Sequence, residues 1–221
     1  MNTYPHMKKY PLHLCQPDNS KSCGACCGLY NFEDHSRETL RTLLKQRTEL
    51  FFSSEENPDV ASLRRNIQAL SVTPKLCETI HNCDFLGFVD GGEQKVGCML
   101  DPVLHQGRVL RSCYFYGAEL CANHFCISYN SLTTVVQTAV MRSLDDWYLY
   151  GLVLTDVDFV KAFFTHAQNR MGDSVRGDKL EKVPVQRALR DYFVLKGNWK
   201  FSSDDNMLGK YSFSQAEYRI A

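Results

Sequence analysis

The chain has 221 residues, 44% of them hydrophobic, and its 25 basic and 25 acidic side chains cancel to a formal net charge of zero. That is enough for one large domain, or one and a half, with ample apolar content for a core. Without a positive excess, or any basic patch beyond pairs such as Lys8-Lys9 and Arg64-Arg65, bulk electrostatic binding to nucleic acid or an acidic membrane is not expected.

Residues 1–35 are rich in Pro, Cys, Gly and polar groups, and read as irregular. The opening Met1-Asn2-Thr3-Tyr4-Pro5-His6 lacks the charged-then-apolar run of a secretory signal. A first helix is predicted from about Ser36, as N-cap, to Phe52, with Leu40, Leu43, Leu44 and Phe51 at helical spacing. Asn57-Pro58 is expected to open a second, with Leu63, Ile67 and Leu70 on one face and Pro74 closing it. From Cys77 to Cys126 short apolar pieces, Phe85 to Val89 and Val96 to Leu100, are cut by Gly91-Gly92, Pro102 and Gly107. They suggest short strands and loops that need a staple.

Helical periodicity returns after Ser128. Ser131 is expected to cap a helix reaching about Tyr150, with Leu132, Val135, Val136, Ala139 and Val140 apolar. Thr155-Asp156-Val157-Asp158 starts another, with Phe159, Phe163, Ala167 and Met171 as its buried stripe and Gly172 as its stop. Pro184 opens a further helix to about Leu195, with Leu189 and Phe193 inward and Gly197 at its end. The tail from Ser202 looks loop-like. The longest apolar run, Trp147 to Leu154, falls far short of the about 20 residues that span a bilayer. The expected fold is mainly α. A cysteine-rich, largely irregular region with two helices and few short strands spans 1–128, and a helical part over 129–221 packs on it as one unit. The expected compartment is the cytoplasm.

The ten cysteines are Cys15, Cys23, Cys26, Cys27, Cys77, Cys83, Cys98, Cys113, Cys121 and Cys126. None follows Cys126, and ten scattered core residues would not stop at one point. Cys23-Gly24-Ala25-Cys26-Cys27-Gly28 concentrates three of them between glycines. Reducing cytosol disfavours structural disulfides, and adjacent Cys26 and Cys27 cannot pair with each other without severe strain. Zinc takes four Cys or His ligands, and iron–sulfur clusters commonly take four thiolates. Cys23-x2-Cys26 is a metal-type pair and Cys121-x4-Cys126 a second close one, while Cys83 and Cys98 lie near glycines. Glycines permit positive φ and expose N–H groups, which suits a loop around thiolates or sulfide. Ten thiols could furnish two four-ligand sites, or one cluster plus structural or redox thiols. Neither a zinc ribbon nor a ferredoxin run is matched. A buried thiol without a ligand role suits isolated Cys15 or Cys77.

Cys23-Gly-Ala-Cys-Cys-Gly28, then Cys83-Asp-Phe-Leu-Gly87, then Gly97-Cys-Met-Leu-Asp-Pro102 together resemble the zinc- or iron-chelating domain family of the CxxCxxCC type, which also takes in the flagellin lysine N-methylases. The resemblance spans roughly Ser20 to Cys126 and leaves the C-terminal helices outside. It implies chelation of zinc or iron through Cys23, Cys26, Cys27, Cys83 and Cys98. Local spacing adds Cys113, Cys121 and Cys126. The family's leading cysteine falls on Ser20, so either Cys15 compensates or that ligand is lost. Its Arg-Pro-x-x-Cys-Arg piece is also unmatched. This chain has Arg111-Ser112-Cys113 and Cys121 to Cys126 instead, as a divergent member would.

His81 and His124 each stand two residues before a cysteine and could be ligands, His124 the better of the two, although a surface or hydrogen-bonded role is favoured for both. His105 and His166 lack such a context. Asp145-Asp146 could do acid/base work but suits a solvated face better. Phe159, Phe163 and Phe164 suit a core. No phosphate loop, dinucleotide fingerprint or Ser-His-Asp arrangement stands out. Three readings follow. The first, and favoured, is a cytoplasmic metal-binding protein holding zinc or an iron–sulfur cluster. The second is a metal-dependent enzyme of methyl transfer or redox type, with a pocket in the helical half. The third is a disulfide-stapled interaction protein. Substrate and protein partner are open.

Overall fold

The computed structural model describes residues 14–18, 20–53, 59–70, 73–78, 80–113, 121, 126–171, 177–198, 211–214 and 217–220. The fold is mainly α, as expected. Helix α1 (Arg37–Ser53) buries Leu40, Leu43, Leu44 and Phe51 along its apolar spacing. The Ser36 hydroxyl accepts the Thr39 N–H at 3.4 Å, close to the cap expected of it. Helix α2 (Val60–Gln68) is capped by Asp59, whose carboxylate accepts the N–H groups of Ala61 and Ser62. The Asn57-Pro58 start falls outside the described residues. The two apolar pieces of the cysteine region become strands β1 (Leu86–Phe88) and β2 (Val96–Cys98), which pair antiparallel with Leu86 opposite Cys98.

The single helix expected from Ser131 to Tyr150 is two, α4 (Thr134–Ser143) and α5 (Trp147–Leu154), and Ser131 is the end of a short helix α3 (Ile127–Ser131) and not a cap. Leu132 and Leu144 are extended and break the helical path, and polar caps restart it. Thr133 accepts the Val136 N–H at 3.4 Å, and Asp146 accepts that of Leu149 at 2.9 Å. Hydrophobic periodicity ran through both breaks because each begins with an apolar residue, Leu132 or Leu144. Asp146 is therefore a cap, and it also pairs with Arg37 at 2.8 Å. Asp145 pairs with Arg190 on the surface.

Helix α6 (Val157–Met171) starts where expected, but its buried stripe is Val157, Val160 and Phe164. Phe159 and Phe163 flank that stripe, half-buried, where Phe159 stacks on Tyr192 at 4.5 Å. Gly172 lies outside the described residues, as does the Met171 side chain. Helices α7 (Gly177–Leu180) and α8 (Val183–Val194) follow. Pro184 sits in the first turn of α8, and Leu189 and Phe193 are fully inward. A 3-10 turn over Leu195–Asn198 takes in Gly197. The tail is not all loop. Strands β3 (Tyr211–Ser214) and β4 (Glu217–Ile220) form a hairpin, with Tyr211 opposite Ile220. Their alternation of apolar and polar residues is the period-2 signal that length alone had concealed.

Every residue of α5 is buried. Leu149, Tyr150, Val153 and Leu154 join the core of α4, α6 and α8, which also takes in Leu14. Trp147, Tyr148 and Leu152 join a second core with α1, β1 and β2. A third cluster places Phe51 and the α2 residues Leu63 and Ile67 against Phe85, Met99 and Leu100. The central helix is thus shared between the cysteine-bearing part and the helical part. Each large side chain buried this way contributes about 1.5–3 kcal/mol.

Candidate metal centre

The Cys23–Gly28 stretch folds as a 3-10 turn over Ala25–Cys27, with Gly28 in the left-handed region at φ 74°. The Cys27 N–H donates to Gly24 at 3.1 Å and that of Gly28 to Ala25 at 2.9 Å. A Cβ on Gly28 would lie 2.2 Å from the His81 carbonyl oxygen. Only a glycine therefore lets the 81–83 segment reach the turn. There the Cys83 N–H donates to the Cys27 carbonyl at 2.8 Å.

The turn sends its two adjacent cysteines to different neighbours. The Cys26 thiol is hydrogen-bonded to Cys126, and the Cys27 thiol to Cys83. Around Cys126 gather Cys26, Cys23 and Cys15, whose charges act on one another. The main chain reinforces this group, since the Cys23 N–H donates to the Cys15 carbonyl at 2.9 Å. Cys126 is the acceptor of its pair. The hydrogen bond from Cys26 pulls it down to about 7 against the effect of burial, helped by the backbone N–H groups of Tyr129 and Ser128. Burial pushes Cys15 up to about 12 and Cys23 well above the ordinary thiol range.

Around Cys27 gather Cys83, Cys98 and Cys121. Cys83 is the acceptor here. The hydrogen bond from Cys27 brings it down to about 5, with further donation from His81 and the Phe85 N–H. Burial, then the charge of Cys83, raises Cys98 to about 11, while the Arg111 guanidinium acts the other way. Burial raises Cys121 as well. Arg111 also pairs with Asp101, which caps the 3-10 turn Pro102–His105. The Gly97–Pro102 piece is thus held by an ion pair next to Cys98.

Several supports carried no signal in the sequence. Asn31 is buried, and its amide donates to the carbonyls of Cys77 at 3.0 Å and Ile80 at 3.2 Å and to Asn82 Oδ1 at 2.7 Å. Its own Oδ1 accepts the Cys77 N–H at 3.0 Å. One side chain thereby shapes the loop leading into Cys83, and Cys77 is a main-chain partner in it. Arg47, also buried, donates to the Cys83 carbonyl at 2.9 Å. Tyr30 and Tyr150 tether the N-terminal segment, donating to Tyr148 at 2.9 Å and Leu14 at 2.6 Å. Only the proximity of Asn31 to the Cys23–Gly28 run could have drawn attention to it.

Of the expected ligands, Cys23, Cys26, Cys27, Cys83, Cys98, Cys121 and Cys126 each lie near enough to another of them for their charges to interact. Cys113 ends a 3-10 turn that starts at Leu110, but its side chain lies outside the described residues, as does His124. Ser20 is exposed and hydrogen-bonded to Asp18 at 2.7 Å, whereas Cys15 reaches the thiols. His81 is a hydrogen-bond partner of Cys83. His105 Nε2 lies 2.6 Å from the Met99 carbonyl and its ring lies against Phe51. His166 is exposed. The nine cysteines whose side chains are described are free thiols. Among the described residues no group of three or more His, Cys, Asp or Glu side chains is placed to hold a metal ion.

A cavity of about 180 Å³ opens in the helical half, lined by residues that include Thr134, Arg142, Glu181 and Gln186. No cysteine is among its lining residues. Among the described residues no helix is long and apolar enough to cross a membrane. The chain matches no family model, no curated protein and no solved structure.

Proposed function

We propose that this chain is a cytoplasmic metal-binding protein whose cysteine thiolates hold zinc or an iron–sulfur cluster. The observation that carries this reading is the gathering of thiols from separate parts of the chain around one glycine-bounded turn. Cys15, Cys83, Cys98, Cys121 and Cys126 all act on Cys23, Cys26 or Cys27. Soft thiolates are the ligands that select zinc and iron–sulfur clusters. Cys83 and Cys126 already carry the hydrogen bonds that favour the anionic form such ligands need. The resemblance of the Cys23, Cys83 and Cys98 pieces to the zinc- or iron-chelating CxxCxxCC family supports the same reading.

The test is elemental analysis with a visible absorption spectrum on protein purified without oxygen. Iron with acid-labile sulfide and a brown band identifies a cluster. Stoichiometric zinc without colour identifies a zinc site. Protein that carries neither, and takes up neither when each is supplied under reducing conditions, defeats the proposal.

A further inference from the structure

We infer that Cys27 and Cys83 are a redox-sensitive thiol pair, which hydrogen peroxide converts to a disulfide and a dithiol reductant restores. This goes beyond the metal-binding reading and does not rest on it, because it follows from where the two residues sit in the fold.

The main chain sets the distance. The Cys83 N–H donates to the Cys27 carbonyl at 2.8 Å. A carbonyl oxygen lies about 2.4 Å from its own Cα, and an amide nitrogen about 1.46 Å from its own. Even laid end to end, these spans keep the Cα atoms of Cys27 and Cys83 within about 6.7 Å of each other. Disulfides usually bridge Cα atoms about 4.4–6.8 Å apart. The approach is fixed from both sides. Gly28, at φ 74°, leaves room for the His81 carbonyl, where a Cβ would lie 2.2 Å from the oxygen. Buried Arg47 holds the Cys83 carbonyl at 2.9 Å, and buried Asn31 holds Asn82 at 2.7 Å.

The side chains select the partner. Cys15 and Cys23 share a main-chain bond of the same kind at 2.9 Å, but it is Cys27 and Cys83 whose thiols are hydrogen-bonded to each other. Adjacent Cys26 cannot compete for Cys27 without severe strain. Joining the two sulfurs therefore asks for side-chain rotation and not for backbone movement. Both residues are partly exposed, within reach of a small oxidant.

The chemistry balances with hydrogen peroxide as the oxidant. One sulfur, as thiolate, attacks a peroxide oxygen. The O–O bond breaks, a sulfenic acid forms, and the departing hydroxide takes up the thiol's proton as water. The partner sulfur attacks the sulfenic sulfur, the S–O bond breaks, and a second water leaves with the partner's proton. Each sulfur gives up one electron, and the peroxide oxygens are reduced to water. Dithiothreitol reverses the bond by thiol–disulfide exchange and is itself oxidised to its cyclic disulfide. The new bond locks the Cys23–Gly28 turn to the start of the β1–β2 hairpin and encloses α1 and α2 in a covalent loop. Its sulfurs are no longer the thiolates that zinc or a cluster takes.

The experiment uses the full chain, reduced, stripped of metal with a chelator and freed of reductant, then titrated with hydrogen peroxide without denaturant. Remaining thiols are alkylated and the digest is mapped by mass spectrometry. The expected first product is a Cys27–Cys83 cross-linked peptide. It should form before any other cysteine pair, lose that preference when the titration is run in urea, and disappear with dithiothreitol. Cys15→Ser should keep it. A first cross-link between any other cysteines, sulfinic acid at either residue without a cross-link, or a Cys27 and Cys83 that stay fully alkylatable would overturn the inference. The wild-type mapping needs no variant to fold. Metal uptake measured on the same preparation reads the other proposal separately: a cross-link in a chain that takes up no metal upholds the thiol pair and defeats only the metal-binding reading.

Discussion

Cys27 and Cys83 are joined twice: the Cys83 amide donates to the Cys27 carbonyl at 2.8 Å, and their side chains share a second hydrogen bond. That double link pins the start of the β1–β2 hairpin to the Cys23–Gly28 turn. Few regular elements support this region, whose two strands are three residues each. On the metal-binding reading, much of its folding energy is metal-binding energy. Removing metal with a chelator under reducing conditions should therefore lower the melting temperature. Amide exchange should speed up most over residues 80–101 and least in α8. Equal protection with and without chelator would rule out a structural role for the metal.

Gly28→Ala tests the close approach directly. The left-handed backbone costs an alanine about 1–2 kcal/mol. The contact with the His81 carbonyl, at 2.2 Å from the new Cβ, adds about 1–3 kcal/mol of overpacking. Urea denaturation should show a loss in that combined range. Gly91→Ala serves as the control, since it also has positive φ but nothing near its Cβ, and it should lose only the backbone part.

Asn31→Leu removes both the donor and the acceptor that shape residues 77–82. The stranded carbonyls and amide are expected to cost about 1–3 kcal/mol. Because this loop leads into Cys83, thiol reactivity at Cys83 should rise in the variant. Unchanged stability together with unchanged Cys83 labelling would remove Asn31 from the account.

Lys196 and Asp156 form a buried ion pair at 2.6 Å, with side chains 7% and 5% exposed. Asp156 also accepts the Phe159 N–H at 2.9 Å at the start of α6. Lys196→Met leaves a buried carboxylate without its counter-ion, and a loss of about 3–5 kcal/mol is expected. Lys196→Met/Asp156→Asn should recover part of it, because the amide oxygen still accepts from Phe159. A calorimetric comparison of the two variants decides this.

The cap of α2 has a pH signature. Hydrogen bonding from the Ser62 hydroxyl, then from the Ala61 and Ser62 N–H groups, holds the Asp59 carboxyl below its ordinary range. A lowered folded-state value means that the contribution is complete above the ordinary aspartate value, about 3.9. It is lost as pH falls through the folded value. Fraying of α2, read by amide exchange at Ala61 and Ser62, should therefore begin only below that value. In Asp59→Ala it should be present at neutral pH.

What the sequence determined by itself was local. Helix α1, its inward leucines, the Pro184-led α8 and the two glycine-cut strands follow from periodicity and caps, which act within a few residues. So does the concentration of thiols around Cys23–Gly28. The tertiary structure decided the rest. The helix expected from Ser131 to Tyr150 started only after Leu132 and broke again at Leu144, where Thr133 and Asp146 offered caps and α5 could be buried on every side. Spacing ranked Cys15 among the weaker candidates and could not divide Cys26 from Cys27. Which sulfur meets which depends on chain segments returning from afar, as Cys126 does to Cys26 and Cys83 to Cys27. That return is set by packing around the shared helix α5, and by a glycine small enough to let two backbones touch.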